Sequence, residues 1–316
     1  MNLLIGALTI GLLLSLVALG VFITYRVFGI LDVTTDGSFG VGAATVAALL
    51  THGWPALPAT LMGAVAGMGA GLVTGIVHTR FGVNALLAGI LTTTALYSGN
   101  LYIMGGGDRS VAAVPTVFTR AELMFGRLVP DADAITLLGT PVSARNLAGL
   151  ALTVIVVAVV LALLARFFGT NLGLALRATG DNPQMARALG VSVSGVTVVG
   201  LVMANGLIGL AGALFAQYQG FANVQMGLGI IVTGLASVIV GETLAGQRLG
   251  VAPRLIAAVL GAVLFRLIIA GALRAGLDPN ALKLLTAVFV LLALVLPGAV
   301  RRRLQRQPAT VGGARG

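Results

Sequence analysis

Leu3 to Tyr25 reads LLIGALTIGLLLSLVALGVFITY, twenty-three residues without a charge. A helix rises 1.5 Å per residue, so about 20 apolar residues cross a hydrocarbon core of roughly 30 Å. This stretch is long enough to span a bilayer. It has no basic start and exceeds the roughly 7 to 15 apolar residues of a secretory signal. It therefore reads as a retained span.

The pattern repeats along the chain. Hydropathy and breakers place spans near 3–25, 37–51, 56–77, 83–104, 147–168, 196–218, 226–245, 253–273 and 280–299. Of the 316 residues 58% are hydrophobic and 9% charged, and mean hydropathy is +1.06. A soluble domain carries about 25% charged residues. The expectation is an all-α polytopic membrane protein with about nine transmembrane helices, eight to ten being compatible with the boundaries. The 37–51 run is too short to cross as a straight helix, so support inside the bundle is expected there.

A net charge of +10 does not point to nucleic acid, because the basic residues are scattered between apolar spans rather than gathered with aromatics on one face. Their distribution sets topology. Arg166, Arg177 and Arg187 flank or occupy one connection and Arg301, Arg302, Arg303 and Arg306 follow the last span, which puts both on the cytoplasmic side. Counting back places Arg26 and His78 to Arg80 inside, and Met1 and the segment 105–146 outside. The N-terminus is then outside and the C-terminus cytoplasmic.

Comparing the two halves reveals a repeat. Asp32-Val33 with Gly37 and Gly40 matches Asn223-Val224 with Gly227 and Gly229; Pro58 to Gly75 tracks Pro253 to Ala270, and Val83-Asn84-Ala85-Leu86 tracks Pro279-Asn280-Ala281-Leu282. Five spans separate equivalent elements, and an odd number inverts the second copy, an arrangement common in transporters. The expected organisation is one membrane domain over 1–316, with repeat halves at 1–104 and 196–300, an extracytoplasmic loop at 105–146, a cytoplasmic segment at 171–191 and a basic cytoplasmic tail at 301–316. Glycines at spacing four, such as Gly63, Gly67 and Gly71, point to close helix packing and say nothing of a solute.

Few residues carry chemistry. Cysteine is absent and the two histidines, His52 and His78, stand alone, so no metal site is expected. Neither histidine has a carboxylate three or four residues away, which leaves an intramembrane enzyme without a base pairing. No Gly-x-x-x-x-Gly-Lys-Ser/Thr loop is present, so the chain has no phosphate loop for ATP. The segment Asn171 to Val191 interrupts the membrane pattern: Gly180 is read as ending a first helix, Asn182-Pro183 as starting a second and Gly190 as closing it. Asn205, Gln217 and Arg266 are the deepest polar residues and the candidates for lining a translocation path, since polar groups at that depth call for a partner or water. Asp32, Asp36 and Glu242 are read as solvated or capping carboxylates near membrane ends, with contact to a cytoplasmic subunit as the other option.

The run Leu176-Arg177-Ala178-Thr179-Gly180-Asp181-Asn182, followed by Ala186-Arg187-Ala188-Leu189-Gly190-Val191, resembles the coupling segment of the branched-chain amino acid and ribose type of ABC importer permease. Gly234 to Glu242 and Ile30-Leu31-Asp32-Val33 resemble further blocks of that family, and together they cover much of the chain. The combination looks most like permeases assigned to uptake of aromatic amino acids such as tryptophan and tyrosine. Val240-Gly241-Glu242 departs from the paired glycine of the sugar-type relatives.

The resemblance implies a type II importer-like fold in the cell (inner) membrane and a permease subunit without cofactor or ATP site of its own. It also implies import of a small polar solute, an amino acid, with cytoplasmic ABC ATPase subunits, an extracytoplasmic solute-binding protein and a second permease copy, identical or similar, as partners. Arg177, Gly180, Asp181, Asn182, Pro183, Ala186, Arg187 and Gly190 become the ATPase-coupling candidates. The alternative is an ion-coupled secondary transporter with inverted repeats; it needs a coupling-ion site, and carboxylates at mid-depth are scarce.

Overall fold

The computed structural model describes residues 2–128, 136–137, 140–141, 143–245, 250–278, 284, 286–288 and 291. In chain order its elements are α1 (Asn2–Val21), a π-helical continuation (Phe22–Val27), α2 (Thr34–Thr51), α3 (Ala56–Arg80), α4 (Ala85–Met104), β1 (Arg109–Ser110) and α5 (Val117–Leu128). Then come β2 (Thr136–Leu137), β3 (Thr140–Pro141), α6 (Ala144–Phe168), α7 (Asn171–Asp181), α8 (Pro183–Ala188), α9 (Val193–Gln219), β4 (Phe221–Ala222), a 3-10 turn (Val224–Gly227), α10 (Ile230–Ala245) and α11 (Val251–Arg274).

Among the described residues seven helices are long and apolar enough to cross a membrane. The 37–51 expectation is realised as α2, which is mostly buried inside the bundle. The span expected at 280–299 falls largely outside the described residues. Leu57, Leu61, Val65 and Leu72 of α3 and Ile155, Val159 and Leu163 of α6 are exposed on the outer faces. Apolar patches of that extent have lipid as their natural solvent.

α1 and α9 form the centre. Leu16, Val17, Ala18 and Leu19 of α1 and Ala204, Ile208 and Ala211 of α9 lie in one apolar core. The two helices run antiparallel: Gly6 faces Tyr218, Gly20 faces Ala204 and Ile208, and Gly200 faces Phe28. α9 packs on α2 and α3, and α1 packs on α10 and α11. The first copy's neighbours are thus carried by the second copy's central helix and the reverse, in opposite directions, as an inverted repeat requires.

The same local turn opens both copies. Asp32 Oδ1 accepts from the Thr34 amide at 3.0 Å, and Asn223 Oδ1 accepts from the Gln225 amide at 2.6 Å. Each short side chain satisfies a backbone donor at the head of the next helical element. The segment 105–146, expected as an extracytoplasmic loop, carries α5, which packs on α6. Its β1 pairs antiparallel with β4, Arg109 opposite Ala222, and Asn223 Nδ2 donates to Asp108 Oδ1 at 2.6 Å.

Candidate functional site

α7 and α8 form one presented unit. Thr170 Oγ1 accepts from the Gly173 amide at the head of α7. Asn182 Oδ1 accepts from the Gln184 and Met185 amides at 3.1 and 3.0 Å, and Pro183 takes the first helical position, where its missing N–H is no loss. Gly190 follows α8 with φ +82°, a conformation that suits glycine. α8 is thereby capped at both ends although only six residues long.

The side chains divide by face. Ala186 is buried, whereas Arg187, Met185 and Leu189 are exposed, the last two at 61% and 70%. Residues four apart share a helical face, so Met185 and Leu189 make an apolar ridge beside a guanidinium. Arg177 is turned the other way: it is partly buried and its Nη2 donates to Phe168 O at 3.1 Å. Gly180 does not end α7, which continues through Asp181. Its role is close approach, for a Cβ there would strike Val27 O at the end of the first span.

The deepest polar residues are held by protein. Asn205 is fully buried; its Oδ1 accepts from Ser38 Oγ at 2.6 Å, and its Nδ2 donates to Asp32 Oδ2 at 2.7 Å and to Leu201 O at 3.0 Å. Gln217 Nε2 donates to Thr60 Oγ1 at 2.7 Å and to Ala213 O, while its Oε1 accepts from the Val117 amide at 3.0 Å. Arg266 is half-buried on α11 near Gly11 of α1. Asn205 and Gln217 are therefore the fastenings of α9 to α2, α3 and α5 in this conformation.

Asp32 was not expected to be enclosed. It is 2% exposed, so it is not solvated, and it meets the expectation as a cap, its Oδ1 accepting from the Thr34 amide at the head of α2. The chain breaks after Val27, passes Gly29 at φ +68° and turns inward before α2 begins. Asp36 does act as a cap, but on another element: its Oδ2 and Oδ1 accept from the Gly229 and Ile231 amides at 2.9 and 3.0 Å, at the head of α10. Glu242 meets Arg26 Nε at 2.5 Å. A row of hydroxyls, Thr34 to Thr74 at 2.7 Å and Thr74 to Thr92 at 2.9 Å, ties α2, α3 and α4 and had no signal in the sequence beyond threonine itself.

No group of three metal-ligating side chains occurs among the described residues. What the arrangement offers is a capped pair of short helices at one end and hydrogen-bonded helix junctions at depth.

The model of the branched-chain amino acid transport system permease component family matches residues 3–295. The chain belongs to this family. Permeases of this family are membrane subunits of ABC importers and carry no ATPase domain of their own. This permease is 36% identical to a tyrosine transport system permease protein of Clostridioides difficile, over 96% of its own length and 94% of the relative's. It is 30% identical to the autoinducer 2 import system permease protein LsrC of Yersinia enterocolitica, over 74% of its own length and 58% of that protein's. A solved structure of PsaBC from Streptococcus pneumoniae in complex with a Fab aligns over 91% of the permease and 89% of that chain, with a TM-score of 0.50 and 15% identity. That likeness concerns the fold alone.

Proposed function

We propose that this permease imports an amino acid, an aromatic one in the first instance, delivered by an extracytoplasmic binding protein and driven by ATPase subunits that seat α8 in a groove. α7, α8 and the C-terminal tail face the cytoplasm, and the N-terminus lies outside. The observation that carries the reading is the ridge of Met185 and Leu189 beside Arg187, exposed on a capped helix. It stands at the same end of the bundle as Arg26, Arg177 and Arg254, which share one cavity, and basic residues favour the cytoplasmic side. The 36% identity to a tyrosine permease over nearly the whole chain supports the solute class.

In this mechanism closure of the ATPase pair on nucleotide moves α8. Gly180, lodged against Val27 O, and Arg177, bonded to Phe168 O, pass the motion to the first span and to α6. Asp181, Asn182, Pro183 and Gly190 keep the lever rigid, and Ala186 seats it on the bundle. The two inverted halves then rock between inward and outward states, each nucleotide state favouring one of them. Arg266 is assigned to the path between halves or copies, and Asn205 and Gln217 to the junctions that hold its walls.

The test is uptake of tyrosine, tryptophan, leucine and ribose into proteoliposomes holding the permease with its ATPase and binding-protein partners. ATP-dependent aromatic uptake, lost together with ATPase association in a folded Arg187→Glu variant, supports the reading. Uptake without any ATPase, driven by an ion gradient and indifferent to Arg187, overturns it.

A further inference from the structure

α5 is fastened to the bundle at the end opposite α8. From Val193, just after α8, α9 runs 27 residues, about 40 Å, to Gln219. There the Val117 amide at the head of α5 donates to Gln217 Oε1 at 3.0 Å, and the Phe118 ring meets Tyr218 edge-on with 5.3 Å between centroids. A Cβ at Gly149, in the second turn of α6, would lie 3.6 Å from Phe118. α5 therefore lies where α9 ends and α6 begins, the level at which spans meet the headgroup layer. Trp54, between Leu50 and Ala56, and Tyr102, just before Met104, are exposed at the same end, for those neighbours pack with Ala213 and Ala216 of α9. Tryptophan and tyrosine collect at that boundary of a bilayer.

The two faces of α5 differ. Phe118, Ala121, Glu122 and Phe125 are turned inward, buried or half-buried, whereas Arg120, Leu123, Met124 and Arg127 are exposed. Residues three and four apart are helical neighbours, so these four share the outward face. Leu123 and Met124 are 64% and 66% exposed, and neither arginine forms an ion pair among the described residues. An apolar pair between two free guanidinium groups is poorly served by water alone.

We propose that α5 is an interfacial helix whose outward face docks on the lipid surface: Leu123 and Met124 enter the acyl boundary of the leaflet at that end, and Arg120 and Arg127 bind the phosphates of anionic headgroups around them. Guanidinium forks match phosphate oxygens in geometry and charge, and a long arginine stem lets the charge reach the headgroup while the helix lies lower. A helix that lies on a membrane gains from buried apolar area and from attraction to anionic lipid together. So small an apolar pair needs help to stay at that depth, and the bonds to Gln217 and Tyr218 supply it. Lipid in turn presses α5 against the ends of α9 and α6. The inference rests on the membrane-spanning fold and not on the proposed import.

The chain has no cysteine, so single nitroxide labels can be placed without removing any. Leu123→Cys and Met124→Cys variants of the intact permease are labelled and reconstituted in vesicles of phosphatidylglycerol and phosphatidylcholine, with Val159→Cys on the outer face of α6 as the lipid standard and Leu189→Cys as the aqueous one. Spin relaxation then compares access of oxygen, which partitions into acyl chains, with access of a water-soluble nickel chelate. The oxygen-to-nickel ratio at both α5 positions should stand severalfold above that at Leu189 and approach that at Val159. It should fall in vesicles of phosphatidylcholine alone, and Arg120→Gln with Arg127→Gln should abolish that dependence on lipid charge. A ratio at both positions equal to that at Leu189 puts the face in water, as a docking site for a soluble protein would be, and overturns the proposal. Labels shielded from both reagents mark a contact with a second copy and overturn it too. A ratio indifferent to lipid charge overturns the assignment to anionic headgroups. Because no ATPase or solute is needed, a high ratio in a protein that fails to import overturns the proposed function and leaves the interfacial helix standing.

Discussion

Asn205 Nδ2 donates to Asp32 Oδ2 at 2.7 Å, joining the middle of α9 to the turn before α2 across 173 positions of sequence. The hydrogen bonds around the pair run in one direction: Ser38 donates to Asn205, which donates to Asp32, while the Thr34 amide donates to the other carboxylate oxygen. Every partner of Asp32 is a donor, which is what a carboxylate accepts.

Removing either side chain therefore strands the other in a dry site. Asn205→Ala and Asp32→Ala should each lower stability by about 1–3 kcal/mol. Their double-mutant cycle should return a coupling near 1 kcal/mol, since interhelical hydrogen bonds in membranes average about 0.6 and reach about 1.7 kcal/mol. Unfolding in mixed detergent measures it. Additive single effects would mean that the bond contributes nothing beyond packing.

This junction also marks the limit of what the sequence discloses. The spans were legible because apolar length is a local property, and so was the cap at Asn182, because Asn-Pro before a helix acts within three residues. The inverted relation was legible from Asp32 and Asn223 because both copies reuse one turn. Burial of Asp32 was not, since it depends on Asn205 and Ser38 reaching it in space. For the same reason Gly180 read as a helix stop: nothing nearby in sequence announces the carbonyl of Val27 against which it packs.

Asn182 concerns α8 more than the rest of the fold. Its side chain serves two amides of α8, and replacing such a cap by alanine costs about 1 kcal/mol, borne locally. Asn182→Ala should leave the global unfolding midpoint nearly unchanged, speed hydrogen exchange at Gln184 and Met185, and reduce solute moved per ATP hydrolysed. Asn182→Asp, which keeps an acceptor, should restore both. Unchanged exchange in the alanine variant would show that the cap does not hold α8.

The pair of Arg26 and Glu242 should matter little to stability. Its side chains are 40% and 27% exposed, and pairs in that situation contribute about 0–1 kcal/mol and weaken with salt. Glu242→Gln should cost no more than that, and the difference should fade at high ionic strength. A loss several times larger, independent of salt, would mark the contact as an enclosed junction between the first span and α10.

Gly67 and Gly69 lie two residues apart on α3 and should respond in opposite ways to the same change. A Cβ at Gly67 would run into Asn205 O and the Gly209 backbone, which cannot yield as a flexible side chain can, whereas a Cβ at Gly69 meets nothing within 4 Å. Adding one methyl to a full interface costs about 1–3 kcal/mol; adding one at an open helical position gains up to about 1 kcal/mol, the difference in helix propensity between alanine and glycine. Gly67→Ala should therefore destabilise and Gly69→Ala should be neutral or stabilising, measured by the unfolding midpoints of the two purified variants. Because Gly67 packs at Asn205, its alanine variant should also be less than additive with Asn205→Ala, as the first change already disturbs the junction that the second removes. Equal responses at the two glycines would mean that α3 and α9 are not in backbone contact, and the packing of the whole first half would have to be redrawn.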